Sequence, residues 1–225
     1  MVSSPNLDPA GDHALDFVRV PTPQLREMVR QQESKLPPSE FQALIANVRT
    51  AFDKYTEKLQ SIPSLVDRAI ILHLLMDREL GPTSKLPISC RQGCCACCHY
   101  EVEITADEAA LLRELVRSGV DIDGIRLDRQ AHRARKAPEW RQVMNPENRC
   151  VFLDESGSCK VYEHRPSICR KHMVTSPPEA CATLGPGIAA VQVFLPEILL
   201  SAALSLEGAT SGSLPSMLRS ALAAP

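Results

Sequence analysis

The sequence predicts a mostly α-helical protein in which helical flanks surround a cysteine-rich, irregular metal-binding core with one small β-hairpin. Three observations predict it. Apolar residues recur at three- and four-residue spacing on both sides of the centre, the signature of buried helix faces. All nine cysteines fall between positions 90 and 181, five of them at positions 90, 94, 95, 97 and 98. Two short β-prone runs flank Asp154-Glu155-Ser156-Gly157-Ser158, a loop of hairpin length that contains glycine. On this pattern residues 1–20 form a flexible arm and 21–84 an N-terminal helical region. Residues 85–182 form a cysteine-cluster metal-binding module and 183–225 a C-terminal helical region, all in one compact unit.

The arm carries Pro5, Pro9 and Gly11 without periodicity, so nothing in it demands burial. Thr22-Pro23 then reads as an N-cap followed by proline at the first helical position, with Leu25, Met28 and Val29 as a short apolar stripe. Pro37-Pro38 stops that helix. Ser39 and Gln42 have capping-box spacing and open the next one, whose face is Phe41, Leu44, Ile45, Val48, Phe52, Tyr55 and Leu59. A third helix starts at Ser64 and ends at Gly81-Pro82, with Leu65, Ala69, Ile70, His73, Met76 and Leu80 on one side. His73 on that face reads as a core histidine rather than a ligand. After the cluster, Thr105 and Glu108 form another capping box, Leu111, Leu112, Leu115 and Val116 an apolar face, and Gly119 a stop. The arginines and Lys136 between 126 and 141 read as a solvated helix face, or else as a surface for anions or an acidic partner. Pro166 opens a short helical turn, Val191 to Leu206 is helical with a break or kink at Pro196, and Pro215 to Ala223 is helical again.

Composition bounds the setting. The chain is 44% hydrophobic and 23% charged but only 4% aromatic, so Leu, Val, Ile and Ala must fill its cores. A net charge of −2 argues against chain-wide attraction to nucleic acid or anionic lipid. No basic leader precedes an apolar run, and the most apolar stretch, 187–206, is interrupted by Gln192, Pro196 and Glu197. The expected location is therefore the cytoplasm, with no membrane contact and a protein or small molecule of unknown identity as partner. In a reducing compartment crowded thiols are metal ligands or redox groups before they are disulfides, and nine cannot all pair.

The thiols carry the chemistry. Cys90, Cys94, Cys97 and Cys98 are spaced to converge from a tight loop, and Gly93 permits the backbone conformation that convergence needs. Thiolates are soft donors that suit zinc, cuprous copper or iron–sulfur clusters. Adjacent side chains, as at Cys94-Cys95 and Cys97-Cys98, tend to diverge, so the second thiol of a pair either reaches another metal or packs as a small apolar group. Cys150, Cys159, Cys169 and Cys181 follow singly, and eight usable thiols allow two four-thiolate sites or one site with reactive thiols to spare. Arg165 and Arg170 flank Cys169 and are candidates either to stabilise thiolate charge or to cap the short helix. His99, His164 and His172 each sit near a cysteine and are alternative zinc ligands.

Three separated pieces also carry a family resemblance. They are Cys90-x3-Cys94-x2-Cys97-Cys98 followed by Ile104-Thr105-x-x-Glu108; Arg149-Cys150-Val151-Phe152-Leu153 with Gly157-x-Cys159-x-Val161-Tyr162; and Arg165-Pro166-x-x-Cys169-Arg170. Together they resemble the YkgJ-type CxxCxxCC cysteine-cluster proteins, zinc- or iron-chelating domains, over residues 90–170. The resemblance implies that Cys90, Cys94, Cys97, Cys98, Cys150, Cys159 and Cys169 occupy the family's cysteine positions, with Cys95 and Cys181 as additions. That family is similar to flagellin lysine methylases, which implies a 4Fe–4S cluster and S-adenosylmethionine.

Three roles follow. One is a metal-binding protein with an iron–sulfur cluster or zinc, acting in an oxidoreductase or methylase-like, protein-modifying step; the surplus of thiols over one closed site motivates it. Another is a non-catalytic zinc-stapled interaction module whose helical flanks are the working surface. The third is a metal delivery or sensing protein whose spare thiols exchange the ion.

Overall fold

The structure is a computed structural model and describes residues 13–142, 144–183 and 187–224. Among these, eight α-helices and two short strands follow in the order α1 (Pro23–Glu33), α2 (Pro38–Gln60), α3 (Leu65–Leu80), β1 (Glu103–Thr105), α4 (Ala106–Arg117), α5 (Gly124–Ala131), α6 (Ser167–Lys171), α7 (Phe194–Ser205), β2 (Ser211–Ser213) and α8 (Leu214–Ala223). The protein is mostly α-helical with one small antiparallel sheet. It divides into two compact units, residues up to 61 with 194–207, and residues 62–193 with 208–225. No described helix is long and apolar enough to cross a membrane.

The first unit packs α1, α2 and α7. Val48, Phe52, Tyr55 and Leu59 lie three or four residues apart on α2 and are all buried, so this part of the predicted stripe is the packed face, while Phe41, Leu44 and Ile45 are half-buried. Against it lies α7, buried through Ile198, Leu199, Ala202 and Ala203, where the small residues let the helices approach. Thr22 caps α1 as expected: its hydroxyl accepts from the Leu25 N–H at 3.1 Å. The same hydroxyl donates to Glu197 Oε2 at 2.8 Å, and the Thr22 N–H donates to Ser201 Oγ at 3.0 Å, so one cap also ties α1 to α7. The arm expected over residues 1–20 lies outside the described residues as far as 12. From His13 the chain packs, with Leu15 and Val18 buried and the Phe17 ring edge-on to Phe52 at 5.9 Å.

The second unit contains every cysteine. Its core gathers Ile104 of β1, Ala109 and Leu112 of α4, Leu127 of α5, Val151, Phe152 and Val161 of the cysteine-bearing loops, and Leu214 and Leu218 of α8. β1 and β2 pair antiparallel with Glu103 opposite Ser213, which brings α8 onto α4 and α5. α3 packs on α4 and α6.

Four expectations need correction. Ser39 and Gln42 form no capping box: Pro37 is the N-cap and Pro38 the first helical residue, because two prolines preset helical entry before Ser39 can cap. The two β-prone runs do turn back on each other, but their pairing is a single bridge between Leu153 and Cys159, and the two-stranded sheet is β1 with β2. Pro196 makes no kink, since it lies in the first turn of α7, where its missing N–H has no helical acceptor. The basic stretch 126–141 is α-helical only to Ala131, and three of its arginines are paired locally. Arg126 pairs with Asp123 at 3.1 Å, Arg129 with Glu147 at 3.5 Å, and Arg135 with Glu101 at 2.8 Å and Glu103 at 3.0 Å. Arg133 stacks on Trp140 at 4.4 Å.

Candidate metal centre

Short-range backbone geometry gathers the thiols. Residues 90–100 are a chain of tight turns: the Cys94 N–H donates to Arg91 O at 3.0 Å, Cys98 to Cys95 O at 3.0 Å, and Tyr100 to Cys97 O at 3.1 Å. Gly93 sits at φ +86°, a left-handed conformation that a side chain would oppose. Two further segments dock on this loop. The Cys150 N–H donates to Cys98 O at 2.8 Å, and the Ser89 N–H donates to Val174 O at 2.9 Å. The turn 154–158 then returns Cys159 beside Leu153, and α6 carries Cys169.

The result is one cavity of about 90 Å³ lined by Cys90, Cys94, Cys97 and Cys98 from the cluster, Cys150 and Cys159 from the bridged turn, and Cys169 from α6. Arg165 and His172 also line it. Cys181 does not; it is buried beside Cys90, Ala96 and Val174. Cys95 is also outside, with its sulfur facing Gly157, where a Cβ would stand 3.4 Å away.

Electrostatics divides the thiols into two neighbourhoods. Cys98 feels Cys97, Cys150 and Cys169, and Cys169 in turn feels Cys150, Cys97 and Cys159. Cys94 feels Cys97, Cys90 and Cys95, while Cys181 feels Cys90, Cys97 and Cys94. Cys97 belongs to both. Burial, reinforced by neighbouring thiols, pushes Cys94, Cys159, Cys169 and Cys181 up, and pushes Cys150 up to about 12. The free thiols are thus held neutral. Cys97 is the exception: the Cys98 S–H donates to it and, against the cost of burial, with the Arg165 charge helping, its thiol is pushed down to about 7. Cys98 moves up for the same hydrogen bond.

The two flanking arginines have different roles. Arg165 lines the cavity with its guanidinium over the Tyr162 ring at 4.3 Å. Arg170 faces away from the cavity: its guanidinium donates to Asp77 Oδ1 and Oδ2 at 2.8 and 2.6 Å and to the carbonyls of Arg165 and Glu163. It braces the turn that presents Cys169 rather than the thiolate itself.

A buried pair that the sequence did not signal completes the frame. The Glu108 carboxylate, 2% exposed, accepts from the Thr105 N–H at 3.0 Å, which is the predicted capping box, and from the Ser167 N–H at 2.6 Å at the start of α6. His73 Nε2 lies 3.2 Å from the same carboxylate. Burial alone would raise this carboxyl, but His73, Ser167 and Thr105 together hold it below its ordinary value. His73 is therefore a core histidine, and Glu108 is the link from α3 and α4 to the helix bearing Cys169.

The donor set suits a thiophilic metal in kind and in number. Among the described residues no three His, Cys, Asp or Glu side chains converge on one point as a finished cage would. Residues 89–182 match a family whose description is "CxxCxxCC: putative zinc- or iron-chelating domain". The segment is similar to the CxxCxxCC family. No curated protein and no solved structure matched the chain. The matched stretch of this CxxCxxCC domain begins one residue before Cys90 and ends one after Cys181, so it takes in all nine cysteines.

Proposed function

We propose that the CxxCxxCC domain binds iron as an iron–sulfur cluster of the 4Fe–4S type, and that the protein serves as an oxidoreductase or a redox-dependent protein-modifying component. The observation that carries this reading is the presence of seven thiols around a single small cavity, three more than a closed zinc site uses. Around a single tetrahedral zinc the donor sulfurs crowd to roughly 3.8 Å from one another, given metal–sulfur bonds of about 2.3 Å. Thiols spread over a cavity wall suit a group whose own iron and sulfide fill the middle. Cys98, Cys150, Cys159 and Cys169 share one neighbourhood from which its ligands can be drawn, with Cys97, whose thiol is pushed down to about 7, able to make the first bond. Such a cluster supplies one-electron transfer. The protein supplies a neutral, enclosed wall and the Arg165 charge, both of which tune it.

One observation favours zinc. Cys150 and Cys159 pack directly against the hydrophobic core of the second unit, as ligands of a structural staple do. Purification without oxygen, followed by iron, zinc and acid-labile sulfide assays and a visible spectrum, separates the two. Matched iron and sulfide with a brown colour support the cluster. A colourless protein with stoichiometric zinc replaces the reading with the staple.

A further inference from the structure

We propose that His172 is a ligand of the metal centre, through Nε2, beside the cysteine thiolates; the inference rests on the metal-binding reading above. The imidazole lines the cavity that the seven thiols line. Its Nε2 is shielded from solvent and has no hydrogen-bond partner. A buried ring nitrogen left unpaired is destabilising, and an ion is one of the few groups that offsets it. His172 follows Cys169 with two residues between them, at the end of α6, the short spacing by which paired ligands reach one metal.

The ring is also held in place. Tyr100 meets it edge-on, with centroids 6.0 Å apart and planes at 81°, and the Tyr100 hydroxyl donates to the Cys181 carbonyl. On the other side of the residue the His172 carbonyl oxygen lies 4.0 Å from Cys90 Sγ, so the backbone here abuts the first thiol of the cluster.

The other histidines near the cysteines differ. His99 lies with Nδ1 3.2 Å from Cys95 O, and neither it nor His164 lines the cavity. His73 is committed to Glu108. A single imidazole among thiolates would make the centre a mixed nitrogen–sulfur site, which in iron–sulfur proteins raises the reduction potential.

X-ray absorption at the K-edge of iron or zinc, whichever the anaerobically purified full chain carries, tests this directly. The expected wild-type spectrum contains the outer-shell scattering of an imidazole ring; His172→Ala loses it, His172→Cys gives an all-sulfur shell, and His99→Ala and His164→Ala keep it. If His172→Ala does not fold, the wild type and the other three variants still decide. A metal-loaded wild type with sulfur neighbours alone, or imidazole scattering that survives in His172→Ala, overturns the ligand assignment and leaves the metal centre standing. A wild type that holds no metal overturns both.

Discussion

Glu108 shows how one buried side chain can set the position of a distant thiol. Its carboxylate satisfies two backbone N–H groups, one starting α4 and one starting α6, and faces His73. Removing it leaves these donors buried and unpaired, so Glu108→Ala is expected to cost about 3–5 kcal/mol, read from denaturant unfolding. Because its folded proton affinity is held below the ordinary value, its contribution is complete at neutral pH. That contribution fades as pH falls from the ordinary carboxyl value through the lower folded one. Glu108→Gln is expected to flatten this acid limb of the stability profile; an unchanged limb would show that Glu108 does not carry it. Gly157 is a second position where one atom matters. Its φ is +83°, and a Cβ there would stand 3.4 Å from the Cys95 sulfur, so Gly157→Ala should cost about 1 kcal/mol, measured the same way.

At the scale of elements, three helix starts that depend on neighbouring residues were legible in the chain. Thr22-Pro23, Ser64 and the Thr105–Glu108 box are local signals, and all three caps form. The Ser39–Gln42 box was a false start because Pro37-Pro38 had already begun the helix. What the sequence could not show was pairing across distance. His73 and Glu108 are 35 positions apart, and Asp77 and Arg170 are 93 apart, so neither pair leaves a local pattern. Nor could residue spacing separate Arg165, which lines the thiol cavity, from Arg170, which braces α6. The cysteines were legible as a cluster of candidate ligands, but their division around Cys97 depends on three loops meeting. The cap at Thr22 has its own consequence: it joins α1 to α7 through Glu197, so Thr22→Val should cost about 1–2 kcal/mol in thermal or denaturant unfolding.

On the scale of the whole molecule, the two units have separate cores, and all of the thiol chemistry belongs to one of them. Metal removal is therefore expected to act locally. After chelation, amide exchange should rise in residues 90–100 and 150–172, while α2 keeps its protection; a uniform rise across the chain would contradict this. Acidification should release the metal as well, because protons compete for thiols that burial already holds neutral.

The measurement that tests the central claim most directly is native mass spectrometry of the full chain purified without oxygen. The account predicts a mass increment of a whole iron–sulfur cluster, lost in a Cys98→Ser, Cys169→Ser double variant and retained in Cys95→Ser, whose thiol lies outside the cavity. A chain at its bare polypeptide mass, or a cluster that survives loss of both cavity thiols, would contradict it.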